Sequence, residues 1–310
     1  MDALKEYRRV PWRRSQKDGS EIMRYFIHLA FDGTGYCGWQ KQPNGETVQG
    51  KLNVALSRIL SEHVSTDGCG RTDAGVHATD FYAHFSTEKV LNERFALRLN
   101  SCLPQDITIL RVFRVNDKAN ARYSARSRTY EYYLHRRKNP FLRTYACQLF
   151  HPVMDWDKVR AATELIPTVS DFTTLCRVSE DFKTNICRVS EARWDEVPIP
   201  FQIGGPQRGN DGDTCMRFTI TSNRFLRGMV RMVVGTLVLI GAGRLDKDVF
   251  EKTVRSRDKF RFGISAPPHG LYLTKVVYPE IEIREPTTEQ SQRLEPASIE
   301  SSHARFGVGE

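Results

Sequence analysis

The chain has 310 residues, 40% of them hydrophobic, enough to bury a substantial core as one large domain or two parts. Its longest uncharged run, residues 232–243, contains three glycines and falls short of the roughly 18 consecutive apolar residues a membrane span needs. Seven scattered cysteines, none in a CxxC pair, argue against a disulfide framework or zinc knuckle and fit a reducing cytoplasm.

The net charge of +9 is unevenly placed. Residues 1–21 carry +2 and residues 281–310 carry −3, which leaves +10 on the body, 22–280. A folded body that basic points to a polyanionic partner, with nucleic acid ahead of a membrane surface. The first 22 residues, MDALKEYRRVPWRRSQKDGSEI, lack the apolar core of a signal peptide and read as a polar N-terminal extension.

Along the body, MRYFIHLAF (23–31) reads as a strand, and DGTGYCGWQKQPNG as a glycine-rich turn. The next stretch, TVQGKLNVALSRILSEH, puts Val48, Leu52, Ala55, Leu56 and Ile59 on one helical face, with Thr47 as N-cap. VSTDGCG forms a short strand into GRTDAGVHA (70–78), and HATDFYAHFS (77–86) leaves as another strand. A helix near 92–101 and a strand near 107–114 follow. RTYEYYLHRR (128–137) is a strand with Tyr130, Tyr132 and Leu134 on one face. Then come a helix over 155–166, a strand over 215–222, a long helix over 224–241, one more helix in DKDVFEKTVRS and a last strand over 270–278. PIPFQIGGPQRGNDGD (198–213) is a loop or insertion, and the polar tail from Ile281 is expected to be disordered. Two similar-sized parts without a linker imply an α+β fold in which paired sheets leave a groove between them.

Three stretches could carry chemistry. In GRTDAG, Asp73 either shapes a turn through local backbone N–H groups or acts at its tip, and Arg71 offers a charge that keeps a poorly solvated carboxylate ionised. Residues 118–143 hold eight basic residues against one acid, interleaved with Tyr123, Tyr130, Tyr132, Tyr133 and Phe141. Arginines that grip phosphates beside rings that stack on bases suit looped RNA, although the alternation also buries one tyrosine face. Finally, Arg224, Arg227 and Arg231 fall at i, i+3 and i+7, a stripe on an otherwise apolar helix. Arg231 precedes twelve uncharged residues, and an arginine entering a buried helix needs a carboxylate partner. Zinc-deaminase, Walker and HExxH motifs are absent, and His77 and His84 alternate along one strand without a third ligand.

Together, FDGTGYCGWQKQPNGETVQGKL, GRTDAGVHA, ARYSARSRTYEYYL, FLRGMVRMVVG and APPHGLYL occur in the family order of the bacterial tRNA pseudouridine synthase A enzymes, which the chain resembles from about Arg24 to Pro279. These enzymes convert uridine to pseudouridine at tRNA positions 38–40, in the anticodon stem-loop. The resemblance implies two related α/β halves, 23–117 and 118–280, with antiparallel sheets meeting at a basic RNA-binding cleft. It implies a homodimer that binds tRNA, with no cofactor, metal or membrane attachment. By the same resemblance, Asp73 is the catalytic aspartate and Arg71 helps flip the uridine. Tyr130 packs on the target base, Arg231 pairs with the aspartate, Leu271 or Leu273 lines the base pocket, and Arg122 contacts RNA. Asn120 and Tyr123 depart from the histidine and phenylalanine common at those family positions. A non-enzymatic RNA-binding protein and an RNA-modifying enzyme of another class are the alternatives; the second lacks a cofactor loop or zinc ligands.

Overall fold

The computed structural model describes residues 22–150, 153–177, 184–199, 214–256, 262, 264–279, 281, 283 and 284. The expected N-terminal extension, the 200–213 stretch and the chain from 285 onward lie outside the described residues.

In chain order the elements are β1 (Met23–Phe31), α1 (Val48–Leu60), β2 (Asp67–Gly68), β3 (His77–Thr87), α2 (Phe95–Asn100), β4 (Ile107–Val115), β5 (Ser127–His135) and β6 (Cys147–Gln148). After them come α3 (Trp156–Thr163), β7 (Val189–Pro198), β8 (Thr214–Ser222), α4 (Met229–Gly241), α5 (Lys247–Ser256), β9 (Leu271–Val277) and β10 (Ile283–Arg284). Helix α1 begins where its sequence places it: Thr47 accepts a hydrogen bond from the Gly50 N–H, and Val48, Leu52, Ala55 and Leu56 are buried. Its exposed face carries Val54 and Arg58.

The strands form one ten-stranded sheet, ordered β10-β4-β1-β3-β9-β5-β8-β7, with β2 beside β3 and β6 beside β5. Instead of two sheets facing one another, the strands of the two parts of the chain join edge to edge. The seam is the short parallel pairing of β3 with β9, His77 opposite Tyr272 and Ala78 opposite Leu273. Beyond it the strands part, and Asp80 bridges the gap: Oδ2 accepts the Val276 N–H at 2.6 Å, and Oδ1 lies 2.7 Å from His28 Nε2. Tyr278 adds a second stitch, its ring edge-on to those of Tyr82 and Phe26, centroids 5.2 and 5.6 Å away. A continuous core spans both sides, from Phe26, Leu52 and Phe81 to Tyr132, Phe218 and Leu237.

Three elements differ from expectation. The helix expected from Arg224 begins at Met229, because Gly228 takes φ +68° and breaks the chain direction just before it. Arg224 and Arg227 are therefore not on a helical stripe with Arg231. Strand β7 was masked in the sequence by Glu191, Arg193, Asp195 and Glu196; it is an edge strand whose charges pair along its open face, Arg193 with Glu191 and Asp195. Past Val277 the chain also stays on the fold: Ile281 is buried and residues 283–284 pair with β4, inside the segment expected to be a tail.

Candidate active site

The GRTDAG loop leaves β2 and returns as β3, and its shape is imposed from below. Trp39 is buried against Phe81, ring centroids 4.2 Å apart, and any side chain at Gly68 would strike its indole. The Trp39 N–H donates to Thr72 Oγ1 at 3.1 Å. Gly38 takes φ +87°, and a Cβ there would lie 2.2 Å from the Thr72 carbonyl oxygen, so only glycine lets the two backbones approach this closely. At the tip, the Val76 N–H donates to the Asp73 carbonyl at 3.2 Å, closing the turn, and Gly75 takes φ +76° with its N–H on the Tyr36 carbonyl. The local turn and the projecting carboxylate thus coexist: the backbone closes the loop and leaves the Asp73 side chain free to reach across it.

That side chain meets Arg231, whose Nη1 donates to Asp73 Oδ2 at 3.2 Å. The guanidinium is 12% exposed and the carboxylate 25%, so the pair is shielded while one side of the carboxylate stays open to a ligand. Arg231 sits in the first turn of α4, where the helix dipole disfavours a cation, so the carboxylate supplies the favourable charge that the helix end does not. Its direction is held by a two-way latch to the segment before β9: Nε donates to the Ala266 carbonyl at 2.7 Å, and the Ala266 N–H returns to the Arg231 carbonyl at 2.9 Å.

Tyr130 lies on β5, buried, with Phe225 edge-on to its ring at 4.9 Å. Burial holds its phenol well above the ordinary range; Cys69 and the charge of Asp73 push the same way and Arg128 opposes them. The phenol is thus a neutral, ring-bearing wall. Across the β5–β9 pairing, Leu273 stands opposite Tyr130 and Leu271 opposite Tyr132, both leucines buried. Strand pleat puts the four side chains on one face. Beneath the loop, burial pushes the Cys69 thiol up to about 12, so it is a neutral packing group.

Arg71 is exposed at the rim, with its Nε donating to Gln40 Oε1 at 3.2 Å. Arg122 is also exposed, its guanidinium 5.6 Å from the Tyr123 ring centroid, in a loop closed by Asn120 Oδ1 accepting the N–H groups of residues 122 and 123. His77 is a support and not a ligand: its Nδ1 accepts the Gly33 N–H, and its Nε2 faces the carbonyls of Thr144 and His269. The same Nδ1 lies 3.0 Å from Asp32 Oδ1, a contact that would need a proton there; the accepted N–H and the carbonyls on the far nitrogen together favour the proton on Nε2. His84 is buried, which lowers its pKa, and its Nδ1 accepts the Ala121 N–H. Among the described residues no three His, Cys, Asp or Glu side chains cluster as metal ligands.

The sequence alone did not single out Phe225, Ala266 or the buried Arg128 as parts of the site. Arg128 was within reach: it lies two residues before Tyr130 on a strand whose alternation buries that face.

The family profile described as tRNA pseudouridine synthase matches residues 169–279. Over 260 residues the chain is 43% identical to the tRNA pseudouridine synthase A of Bacteroides thetaiotaomicron, covering 84% of this chain and 92% of the relative. The enzyme of the same name from Bacteroides fragilis is 41% identical over 84% of this chain and 98% of its own. That of Caldicellulosiruptor bescii is 38% identical over 81% and 98%. An arginine-paired aspartate on a glycine-shaped loop beside a buried tyrosine, in a chain so closely related along nearly all of these relatives, leaves one placement: the chain belongs to the tRNA pseudouridine synthase A family.

Proposed function

We propose that Asp73 is the catalytic residue of this tRNA pseudouridine synthase, and that its substrates are the uridines at positions 38–40 of the anticodon stem-loop. The observation that carries this reading is the Arg231–Asp73 pair: a carboxylate one quarter exposed, backed by a guanidinium at 3.2 Å, on a loop beside the Tyr130 ring. The reaction breaks N1–C1′, turns the uracil and joins C5 to C1′. The proton displaced from C5 passes to solvent and N1 gains one, so no oxidant or co-substrate enters the balance. What the reaction needs is an ionised carboxylate near the sugar and a pocket that retains the free base. Asp73 serves either by attacking C1′ or by removing the C2′ proton.

The target base must first leave its stack, at a cost of a few kcal/mol. In this reading Arg71, exposed on the same loop, takes the space the base vacates. Tyr130 offers its ring to the flipped uracil, with Leu271 and Leu273 closing the pocket wall. Arg122 and Tyr123 hold the RNA outside it, along a basic cleft between the halves 23–117 and 118–280. A homodimer in the cytoplasm completes this reading.

The test is incubation with unmodified tRNA and no additive. Pseudouridine should appear at positions 38–40 without methyl donor, cofactor or metal. Formation only elsewhere in the tRNA would overturn the substrate assignment, and full activity in Asp73→Asn would overturn the catalytic one.

A further inference from the structure

We propose that Arg128 is a positioning residue, a buried clamp that sets the Asp73 loop, the Arg122–Tyr123 loop and the segment leading into α4 in fixed relation to one another. Its guanidinium spreads over four backbone carbonyls from three segments. Nε and Nη2 both donate to the Cys69 carbonyl, at 3.0 and 2.6 Å. Nη2 also donates to the Arg122 carbonyl at 2.6 Å, and Nη1 to those of Asn223 at 3.2 Å and Ala125 at 3.4 Å. The side chain is 8% exposed, and among the described residues no carboxylate pairs with it.

A cation withdrawn from water needs compensation, and here it is carbonyl dipoles alone. The arrangement uses what guanidinium has and ammonium lacks: a planar fan of N–H donors facing several directions at once. Each clamped segment ends in a site group. Cys69 lies four residues before Asp73. Arg122 and Tyr123 form the exposed cation–aromatic pair. Asn223 precedes Phe225, which abuts Tyr130, and the Gly228 turn that sets the start of α4 and hence Arg231. Arg128 shares a strand face with Tyr130, so one strand supplies both the ring and the clamp. The acceptors are main-chain atoms, so the clamp acts on where the loops sit, whatever their side chains. A displacement of about 1 Å at such a site costs on the order of 10²-fold in rate.

This inference rests on the assignment of Asp73 above. Arg128→Met and Arg128→Lys are compared with wild type by single-turnover rate at saturating tRNA, tRNA affinity, thermal unfolding and amide hydrogen exchange. At a temperature where the variants are folded, Arg128→Met should lose about 10²-fold in rate. Arg128→Lys keeps the charge without the fan and should recover less than about tenfold of that loss. Amides of residues 69–76 and 121–126 should exchange faster, while those of β1 and β4 hold their protection. A folded Arg128→Met at wild-type rate, full recovery by lysine, or exchange accelerated evenly over the whole sheet would each overturn the proposal. So would failure of both variants to fold, which would assign Arg128 to the fold itself. Wild-type protein that forms no pseudouridine, or an active Asp73→Asn, would overturn the site assignment instead, while the exchange data would still report whether the clamp holds the loops.

Discussion

The two regions that bring charge to the site are built on different plans. The loop carrying Asp73 is pinned by its own surroundings: Gly38 admits its backbone, Thr72 takes the Trp39 N–H, and Trp39 is buried beneath it. Arg231 stands at the start of the buried helix α4, aimed by the Gly228 turn three residues before it and by the latch to Ala266. Both regions combine hydrogen bonds with close backbone approach: a Cβ at Gly38 would lie 2.2 Å from the Thr72 oxygen, and one at Gly235 of α4 would lie 2.8 Å from the Ile264 oxygen. The carboxylate is thus carried by a closed loop and the guanidinium by the start of a buried helix.

The largest expected effect removes the carboxylate of the loop. Asp73→Asn is nearly isosteric and should lower the single-turnover rate by about 10³-fold or more, because an amide is neither nucleophile nor base. Affinity for tRNA should change by less than about threefold, since binding is spread over many phosphate contacts. Tritium release from C5-labelled uridine measures the first and filter binding the second. Residual activity within tenfold of wild type would break the assignment.

Next is the guanidinium at the helix start. Arg231→Met keeps bulk and removes charge, and the rate should fall by about 10²-fold, the usual magnitude for one preorganised electrostatic partner. Arg231→Lys should recover part of this, since an ammonium can face Oδ2 even though it cannot also hold the Ala266 carbonyl. If lysine recovers nothing, the latch to Ala266 matters more than the charge on Arg231.

The two regions should also differ in stability. Gly38→Ala places a Cβ 2.2 Å from a backbone oxygen at φ +87°, and nothing at that contact can rotate away. Gly228→Ala meets only the flexible Arg177 side chain, at 3.2 Å and φ +68°. The second should cost about 1–2 kcal/mol, the left-handed penalty alone, and the first clearly more. Urea unfolding of the two variants decides this; equal costs would mean that the Asp73 loop is no more tightly held than the turn before α4.

The same contrast explains what could be read from the sequence. The glycines and threonine around one acid singled out the Asp73 loop, but that pattern fits a plain turn as well as a reactive carboxylate, and the family resemblance separated the two. Tyr130 was legible from strand alternation, and Arg231 from a charge abutting an apolar run. The start of α4 was not, because residues 224–227 keep helical spacing while Gly228 alone takes a positive φ. Nor was the seam, since a two-residue parallel pairing and the Asp80–Val276 bond leave no periodic trace. Arg128 stands in a basic stretch that suits phosphate binding; strand alternation puts it on the buried face of Tyr130, and the four carbonyls around it show what compensates its charge there.

The smallest expected effect concerns the end of the chain. Residues 285–310 are acidic on balance and poor in large apolar side chains, so they offer little surface to bury and little charge to attract RNA. Deleting them should shift the melting temperature by less than about 1 °C, which in a domain of this size corresponds to well under 1 kcal/mol. It should leave tRNA affinity unchanged. A deletion that starts four residues earlier removes Ile281, which is buried, and the pairing of residues 283–284 with β4. Strand β4 would then lose a neighbour on its outer edge and the core an aliphatic side chain, and melting should drop measurably. Equal melting temperatures for the two truncations would show that residues 281–284 only rest on the sheet. A large drop for the shorter deletion would show that the acidic tail supports the fold, against its composition.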